Sequence, residues 1–213
     1  MKTPMELRYD KLGAKVVKAL ESRFFEAWYF SDISAAVEKV FSLIPKNDIV
    51  SWGGSLTAAG LDLTKLAVEK DYKVIDRDKA ASPEERTELM RKGLLCDTYL
   101  SGTNAITEDG QLVNIDGGGN RVASMTFGPK QVIIVAGMNK VRKDLRTAYA
   151  RARTIAAPAN AQRFPNGKTP CNISGACEDC CSPDSICSFV VNTRLCKPKG
   201  RIKVILIGKD LGL

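Results

Sequence analysis

Glycines, carboxylates and hydrogen-bond donors are concentrated in one stretch of the sequence, Ser101–Val122. Three consecutive glycines follow Asp116, and the backbone N–H groups of such a run can converge on one point to bind an anion. We therefore expect the floor of a site for a small anionic molecule, with a plain hairpin and a glycine-rich exit as the alternative. The candidate anion-binding residues of this stretch are Thr103, Asn104, Gly117, Gly118, Gly119, Asn120 and Arg121.

Catalytic groups in this stretch have to be carboxylates, because the chain contains no histidine. Histidine is the commonest general base and the commonest metal ligand among the side chains. Glu108 and Asp116 lie near the glycine run, and a carboxylate can act as a general base or as a nucleophile. The sequence thus predicts Glu108 and Asp116 as the catalytic residues of an enzyme that acts on the anion.

A second glycine site follows the apolar run Asp48–Trp52. Gly53, Gly54 and Ser55 lead into a helix, and a helix N-terminus after glycines can bind phosphate through its N–H groups. The hydroxyl of Thr57 adds a donor. The alternative is an ordinary capped helix whose glycines serve only a turn. Because ligands of parallel sheets bind at the carboxyl ends of the strands, we expect both glycine sites to form one pocket.

Six of the seven cysteines lie between Cys171 and Cys196. The pair Cys177 and Cys180 has the spacing of a chelate, and a tetrathiolate centre would order a segment that has little apolar content. The spacing matches neither a standard ferredoxin nor a zinc ribbon, so iron–sulfur, structural zinc, disulfides and free thiols all stay open. The predicted metal ligands are Cys171, Cys177, Cys180 and Cys187, with Cys181 and Cys196 as substitutes.

Predicted strands and helices alternate along the chain, and these elements position the candidate site residues. Apolar periodicity predicts helices over 5–22, 32–44, 61–70, 82–95, 119–127 and 139–156. Short β-prone runs predict strands over 25–30, 48–52, 73–75, 98–100, 105–107, 112–115, 131–136, 188–195 and 202–207. This order indicates an α/β fold with a largely parallel sheet flanked by helices. We expect one domain over 1–213 with a cysteine-rich insertion at 165–190.

Composition limits the function classes. The net charge is +8, which suits an anionic ligand, but only 7% of the residues are aromatic and no stacking platform for bases is evident. We therefore expect no nucleic-acid partner and rank a regulatory nucleic-acid binder last. No apolar run approaches the roughly 20 residues of a membrane span. A cytoplasmic protein without membrane insertion is the expectation.

Several of these motifs resemble the LUD domain of lactate-utilisation proteins. They are W-G-G-S-L-T at Trp52–Thr57, Asp76-Arg77-Asp78, the stretch Gly102–Val122, F-G-P-K-Q-V-I-I-V-A-G-M-N-K at Phe127–Lys140, and the cysteine segment of short members from anaerobes. The resemblance implies the fold of ribose-5-phosphate isomerases and CoA transferases, whose two glycine loops surround a phosphosugar or an acyl-CoA. Gly53, Gly54, Ser55 and Thr57 match the first loop, and Asp116–Asn120 match the second.

The resemblance also implies a role in lactate-type organic-acid metabolism. One hypothesis is an enzyme that acts on a hydroxy acid, a phosphosugar or an acyl derivative. The alternative is an electron-transfer or accessory subunit of a lactate-oxidising complex, with a redox partner subunit. Similarity to proteins of redox systems favours an iron–sulfur cluster, of the 4Fe-4S type, over structural zinc. A homo-oligomer stays open.

Overall fold

A six-stranded parallel sheet forms the centre of the protein in a computed structural model, which describes residues 1–213. The strand order is β1-β10-β7-β4-β2-β3, and every neighbouring pair is parallel. Parallel neighbours need crossover connections, and the helices between the strands supply them. The strands are β1 (Glu26–Phe30), β2 (Ile49–Trp52), β3 (Lys73–Ile75), β4 (Thr98–Ser101), β7 (Gln131–Gly137) and β10 (Ile202–Ile207).

A smaller sheet of four strands lies beside the central one, in the order β8-β5-β6-β9. Its antiparallel centre is the hairpin of β5 and β6, and β9 pairs antiparallel with the far side of β6. The glycine run, Gly117–Gly119, follows the last residue of β6 in this sheet. The strands are β5 (Ala105–Thr107), β6 (Leu112–Asp116), β8 (Val141–Arg142) and β9 (Phe189–Thr193).

The helices begin at residues that the sequence marks clearly. Thr3, Asp32, Ser55, Ser82 and Asp144 each accept a backbone N–H of the first turn with their side chains. None of the helices combines the length and apolar character needed to cross a membrane. The helices are α1 (Pro4–Ser22), α2 (Ile33–Ser42), α3 (Leu56–Gly60), α4 (Leu63–Glu69), α5 (Pro83–Gly93), α6 (Asn120–Thr126), α7 (Leu145–Arg151), α8 (Ala157–Ala161) and α9 (Pro170–Ser174).

Hydrophobic packing covers both faces of the central sheet. Along β7, Val132 and Ile134 face a core shared with α1 and the small sheet, whereas Ile133 and Val135 face a core shared with α2 and α4. Successive side chains of a strand point to opposite faces, so a strand buried on both sides must be apolar at every position. The predicted α/β fold with a largely parallel sheet flanked by helices is therefore confirmed.

The predicted helix over 139–156 is wrong at both of its ends. Val141 pairs with Ile106 in β8, so the helix begins only after Asp144 provides a cap. It then continues through a π-helical segment, Ala152–Ala156, into α8. Pro158 does not end the helix, because it lies in the first turn of α8, where the missing N–H of proline is tolerated.

The turn that joins β5 to β6 at Asp109 and Gly110 is not of type I′, the two-residue type that an Asp-Gly pair favours. Such a turn needs a positive φ at both central residues, and only Gly110 has one, at 86°. The N–H of Gly110 donates to the Thr107 carbonyl, and the N–H of Thr107 donates to the Gln111 carbonyl, each over 2.9 Å. This is the three-residue loop in which the last residue adopts the left-handed conformation.

Replacement of Gly110 by alanine should destabilise the protein. A Cβ there would lie 2.6 Å from the carbonyl of Ala19 in α1, and the left-handed backbone alone costs about 1–2 kcal/mol. We expect Tm to fall by roughly 4–8 °C in a thermal melt. The control is Gly60→Ala, where no atom lies within 4 Å and the backbone is helical. Equal melting temperatures for the two variants would contradict this account of the hairpin.

Candidate functional site

A cavity of about 300 Å³ opens where the parallel strands of the central sheet end. Four strands deliver lining residues just past their carboxyl ends: β2 is followed by Gly54, β3 by Arg77, β4 by Gly102 and β7 by Lys140. Sheets of this type hold ligands at this edge. The structure brings nine of the predicted residues to this one cavity: Gly54, Ser55, Thr103, Asn104, Asp116, Gly117, Gly118, Asn120 and Arg121. Gly53, Thr57, Gly119 and Glu108 do not line it.

Gly53 and Gly54, which follow β2, leave room for arginine side chains. A Cβ on Gly53 would lie 3.0 Å from the Arg121 side chain, and one on Gly54 would lie 2.7 Å from Nη2 of Arg77. Ser55 caps the short helix α3, because its Oγ accepts the N–H of Ala58 at 3.2 Å. The segment around Gly53 and Gly54 thus lets cationic side chains approach the cavity, beside its own backbone.

Three N–H groups at the end of the glycine run bind a side chain of the protein itself. The carboxylate of Asp116 accepts the N–H groups of Gly119, Arg121 and Val122 at 3.1–3.2 Å. An acidic side chain at a helix N-terminus is favourable because it meets the positive end of the helix dipole. Asp116 therefore fixes the start of α6, and anion binding by the N–H groups of Gly117 and Gly118 stays a prediction.

Arg121 connects the segments that meet at this point. Its guanidinium donates to the Gly102 and Ile115 carbonyls and to the side chains of Asn104 and Asn114, over 2.6–3.3 Å. Its Nε lies 3.7 Å from the carboxylate of Asp116. Burial lowers the pKa of Arg121, and the charge of Asp116 opposes that shift. With its donors so engaged, Arg121 shapes the cavity, and an anion has to be held by other cations.

Glu108 lies away from the cavity. Its carboxylate is bound by Lys15 at 2.6 Å and by Lys143 at 3.3 Å. The hydrogen bond from Lys15 is the main cause that lowers the pKa of Glu108. The catalytic role of Glu108 stays a prediction, and the geometry gives it no contact with a molecule in the cavity.

The cavity is also lined by four cationic residues that the sequence analysis did not assign to it. They are Arg77, Arg86, Lys140 and Arg163. Nε of Arg77 is buried and has no acceptor. Arg163 is exposed and contacts the side-chain oxygen of Asn160 at 3.1 Å, whereas Arg86 already pairs with Asp78 at 2.9 Å. Arg77 and Lys140 could have been found from their positions just after two predicted strands, 73–75 and 131–136.

Lys140 is the most unusual of these residues. Only 5% of it is exposed, and its Nζ donates to the hydroxyl of Thr57 at 3.0 Å. No carboxylate lies within ion-pair distance of this nitrogen. Burial, followed by the positive charges of Arg151 and Arg121, lowers the pKa of Lys140 to about 8. A buried ammonium without a counter-ion is destabilising, and such groups occur where a ligand supplies the missing charge or where chemistry needs an amine.

A second cavity, of about 150 Å³, is lined by the four predicted cysteine ligands, Cys171, Cys177, Cys180 and Cys187. All seven cysteines are free thiols. The two substitutes do not belong to this group: Cys181 is exposed, and Cys196 lies in the main hydrophobic core. Arg153 approaches the sulfur of Cys177 at 3.6 Å. Burial, with the neighbouring thiols, raises the pKa of Cys187 to about 11.

The cysteines surround this cavity without converging on one point. No three of the cysteine, aspartate and glutamate side chains lie close enough together to hold a single metal ion. The four cysteines therefore line the cavity as separate thiols.

The two cavities share a wall. Ile115 and Ile186 line both of them, and Ile186 directly precedes Cys187 in the chain. A Cβ on Gly117 would lie only 3.0 Å from Cα of Ile186, so the cysteine segment packs closely on the glycine run. No sequence motif indicated that the two cavities lie side by side.

Fold and site together define an α/β protein with a cationic cavity at the carboxyl edge of a parallel sheet. Residues 13–207 match the sequence model of the LUD domain. The chain therefore belongs to the LUD domain family, as its motifs indicated.

Solved structures with similar folds are distant in sequence. A DUF162 family protein from Deinococcus radiodurans is 11% identical, with a TM-score of 0.51 over 93% of this chain and 98% of that one. Ribose 5-phosphate isomerase A from Neisseria gonorrhoeae is 18% identical, with a TM-score of 0.35 over 53% and 54%. 5-Methylthioribose 1-phosphate isomerase from Pyrococcus horikoshii is 13% identical, with a TM-score of 0.38 over 83% and 54%. None of the curated proteins matches the chain.

Replacement of Lys140 by methionine should stabilise the folded protein near pH 7. Below pH 8 the lysine is charged in both the folded and the unfolded chain, and its lowered pKa corresponds to about 3 kcal/mol against folding. Loss of the hydrogen bond to Thr57 offsets about 1 kcal/mol of the gain. We expect Tm to rise by roughly 4–8 °C at pH 7.

The advantage of Lys140→Met should shrink as pH rises from 8 to 10. In that interval the folded lysine is neutral while the unfolded chain still binds the proton, so the wild type gains stability. Thermal melts of Lys140→Met and of Lys92→Met, which replaces an exposed lysine without a charged partner, provide the comparison. A Tm loss in Lys140→Met at pH 7 would mean that the lysine supports the fold.

Proposed function

We propose that the cavity binds a small anionic organic molecule and that the protein acts on this molecule in lactate-type organic-acid metabolism. The carrying observation is Lys140, a buried cation that lines the cavity and has no carboxylate beside it. A desolvated charge is stabilised by a partner of opposite sign, and no carboxylate side chain of the protein pairs with Lys140, so an anionic ligand would complete the site.

The charge balance of the whole cavity supports the same proposal. Five cationic side chains line it, and Asp116 is the one lining residue with a carboxylate side chain. Asp116 pairs with Arg121, and Asp78 pairs with Arg86 at 2.9 Å and lies 3.8 Å from Nε of Arg77, so Lys140 and Arg163 are the lining cations without a carboxylate partner. Arg77 contributes a buried Nε without a hydrogen-bond acceptor, and Arg163 contributes a charge at the exposed side. A carboxylate or a phosphate is the ligand type that such donors bind most strongly.

The size of the cavity fits small metabolites. About 300 Å³ is at the lower end of the volumes of ligand pockets. Apolar side chains, among them Leu56 and Ile115, cover part of the wall and would contact a carbon skeleton. Hydroxy acids, phosphosugars and acyl derivatives all combine an anionic group with such a skeleton. The family relationship favours a hydroxy acid or its oxidised form among them.

Anion binding should depend on Lys140 and Arg163 and should not depend on Lys92. We expect the affinity for L-lactate and for sulfate, measured by calorimetry, to fall at least about tenfold in Lys140→Met and about threefold in Arg163→Gln. Lys92→Met should bind as the wild type does. Lactamide, the neutral analogue of lactate, should not bind. Equal affinities for lactate and lactamide would refute the proposal.

Sulfate binding should weaken with rising pH, because Lys140 loses its proton around pH 8. The protonated fraction drops from about 90% at pH 7 to about 10% at pH 9, so the affinity should decrease by about tenfold. Sulfate does not titrate in this range. Lys140→Arg keeps its charge and should show a flat profile; a flat profile in the wild type would count against a direct contact with Lys140.

A second function, electron transfer, is favoured by the four cysteines that line the second cavity. Thiolate sulfur is the ligand type of iron–sulfur clusters and of structural zinc. Four thiols that line one small cavity suit either centre, and the relationship to lactate-utilisation proteins favours the cluster. We propose that Cys171, Cys177, Cys180 and Cys187 hold an iron–sulfur cluster of the 4Fe-4S type, which would supply one-electron transfer to a redox partner subunit.

Metal content should follow the cavity-lining cysteines. Protein purified without oxygen should contain iron and acid-labile sulfide. Cys177→Ser should lose most of both, whereas Cys181→Ser, which alters the exposed neighbour, should retain them. Metal analysis, sulfide analysis and a visible spectrum provide the readout. Stoichiometric zinc without sulfide would contradict the electron-transfer function, and equal losses in both variants would contradict the ligand assignment.

A further inference from the structure

Lys140 has the surroundings of a reactive amine as well as those of an anion-binding cation. Its Nζ donates to Oγ1 of Thr57, and that hydroxyl is directed to the Leu211 carbonyl at 3.4 Å. Thr57 therefore accepts from the nitrogen and gives it no proton. Lys140 is one of the residues that line the cavity, and when it is neutral no donor of the protein occupies its lone pair.

The protein excludes the groups that would keep this amine protonated. No carboxylate pairs with it, and the charged groups that act on it are the cations Arg121 and Arg151. Gly212 passes close by, since a Cβ on it would lie 3.4 Å from Nζ, so the chain comes near the amine without a side chain. Desolvation and like charges are the two devices by which enzymes activate lysine as a nucleophile.

The rest of the cavity provides a means to hold an acid next to this nucleophile. Arg77 has a buried Nε without an acceptor, and Arg163 carries a further charge at the exposed side. A carboxylate held by these guanidinium groups leaves the other end of the molecule free to meet Lys140. A molecule with a carboxylate and an adjacent carbonyl carbon, a 2-oxo acid, matches both functions.

We propose that Lys140 forms an imine with a small 2-oxo acid bound in the cavity. This inference rests on the anion-binding function proposed above and names its substrate class and its reactive residue. The neutral Nζ attacks the carbonyl carbon and gives a carbinolamine. The oxygen then leaves with both amine hydrogens as water, and the C=N bond forms in its place, so neither an oxidant nor a reductant is needed. The resulting imine draws electrons from the neighbouring carbon atoms and eases proton loss there.

Trapping with sodium borohydride tests the imine directly. The wild type is incubated with pyruvate at pH 8 and reduced, and the modified residue is located by peptide mass spectrometry. About half of Lys140 is neutral at this pH, against less than about 1% of an ordinary lysine. We expect labelling of Lys140 to exceed that of any other lysine by at least about tenfold. L-Lactate, which has a hydroxyl group in place of the ketone of pyruvate, should give no label.

Two variants separate the imine from anion binding. Lys140→Arg keeps the charge but cannot form an imine, so it should bind pyruvate in calorimetry and give no label at position 140. Lys92→Arg, a substitution at the surface, should label as the wild type does. Pyruvate binding without borohydride-dependent labelling of Lys140 would overturn the imine and leave the anion-binding function intact. Absence of pyruvate, lactate and sulfate binding in the wild type would overturn both.

Discussion

The buried contact between Arg121 and Asp116 is the interaction on which the arrangement of the site depends. The guanidinium of Arg121, a residue of α6, reaches the loop after β4 and the end of β6, and Asp116 accepts backbone N–H groups at the start of the same helix. A buried charge is tolerable only with such complete pairing. The contact fixes the glycine run against the end of the central sheet, and the cavity is the space that remains between them.

Buried cations in this protein have two distinct roles. Arg121 is satisfied by the protein and stabilises the junction of segments, whereas Lys140 has a single hydroxyl partner and lowers the stability of the empty protein. Strain of this kind is retained where function needs it. The cysteine segment belongs to the same structural unit, because Ile186 separates the two cavities and Gly117 packs against it. A change in the position of Cys187 would therefore move the wall of the anion cavity.

Local sequence patterns predicted much of the fold, and long-range contacts explain what they missed. Apolar runs such as Gln131–Ala136 indicated a strand buried on both faces, and the glycine positions indicated one cavity. The assignment of Arg121 as an anion ligand followed from its charge, but its acceptors come from Gly102, Asn104 and Asn114, which only the folded chain brings near. The absence of a carboxylate beside Lys140 depends on the tertiary structure, and no sequence motif indicates it.

The most direct test of this account is the pKa of the Lys140 amine, measured by NMR on protein with ¹³C-labelled lysine, in the absence and presence of saturating sulfate. The account predicts a pKa near 8 in the free protein and a clear increase when the anion binds, because the ligand supplies the missing negative charge. An ordinary lysine pKa that does not respond to sulfate would contradict the central claim that Lys140 is a buried cation awaiting an anionic ligand.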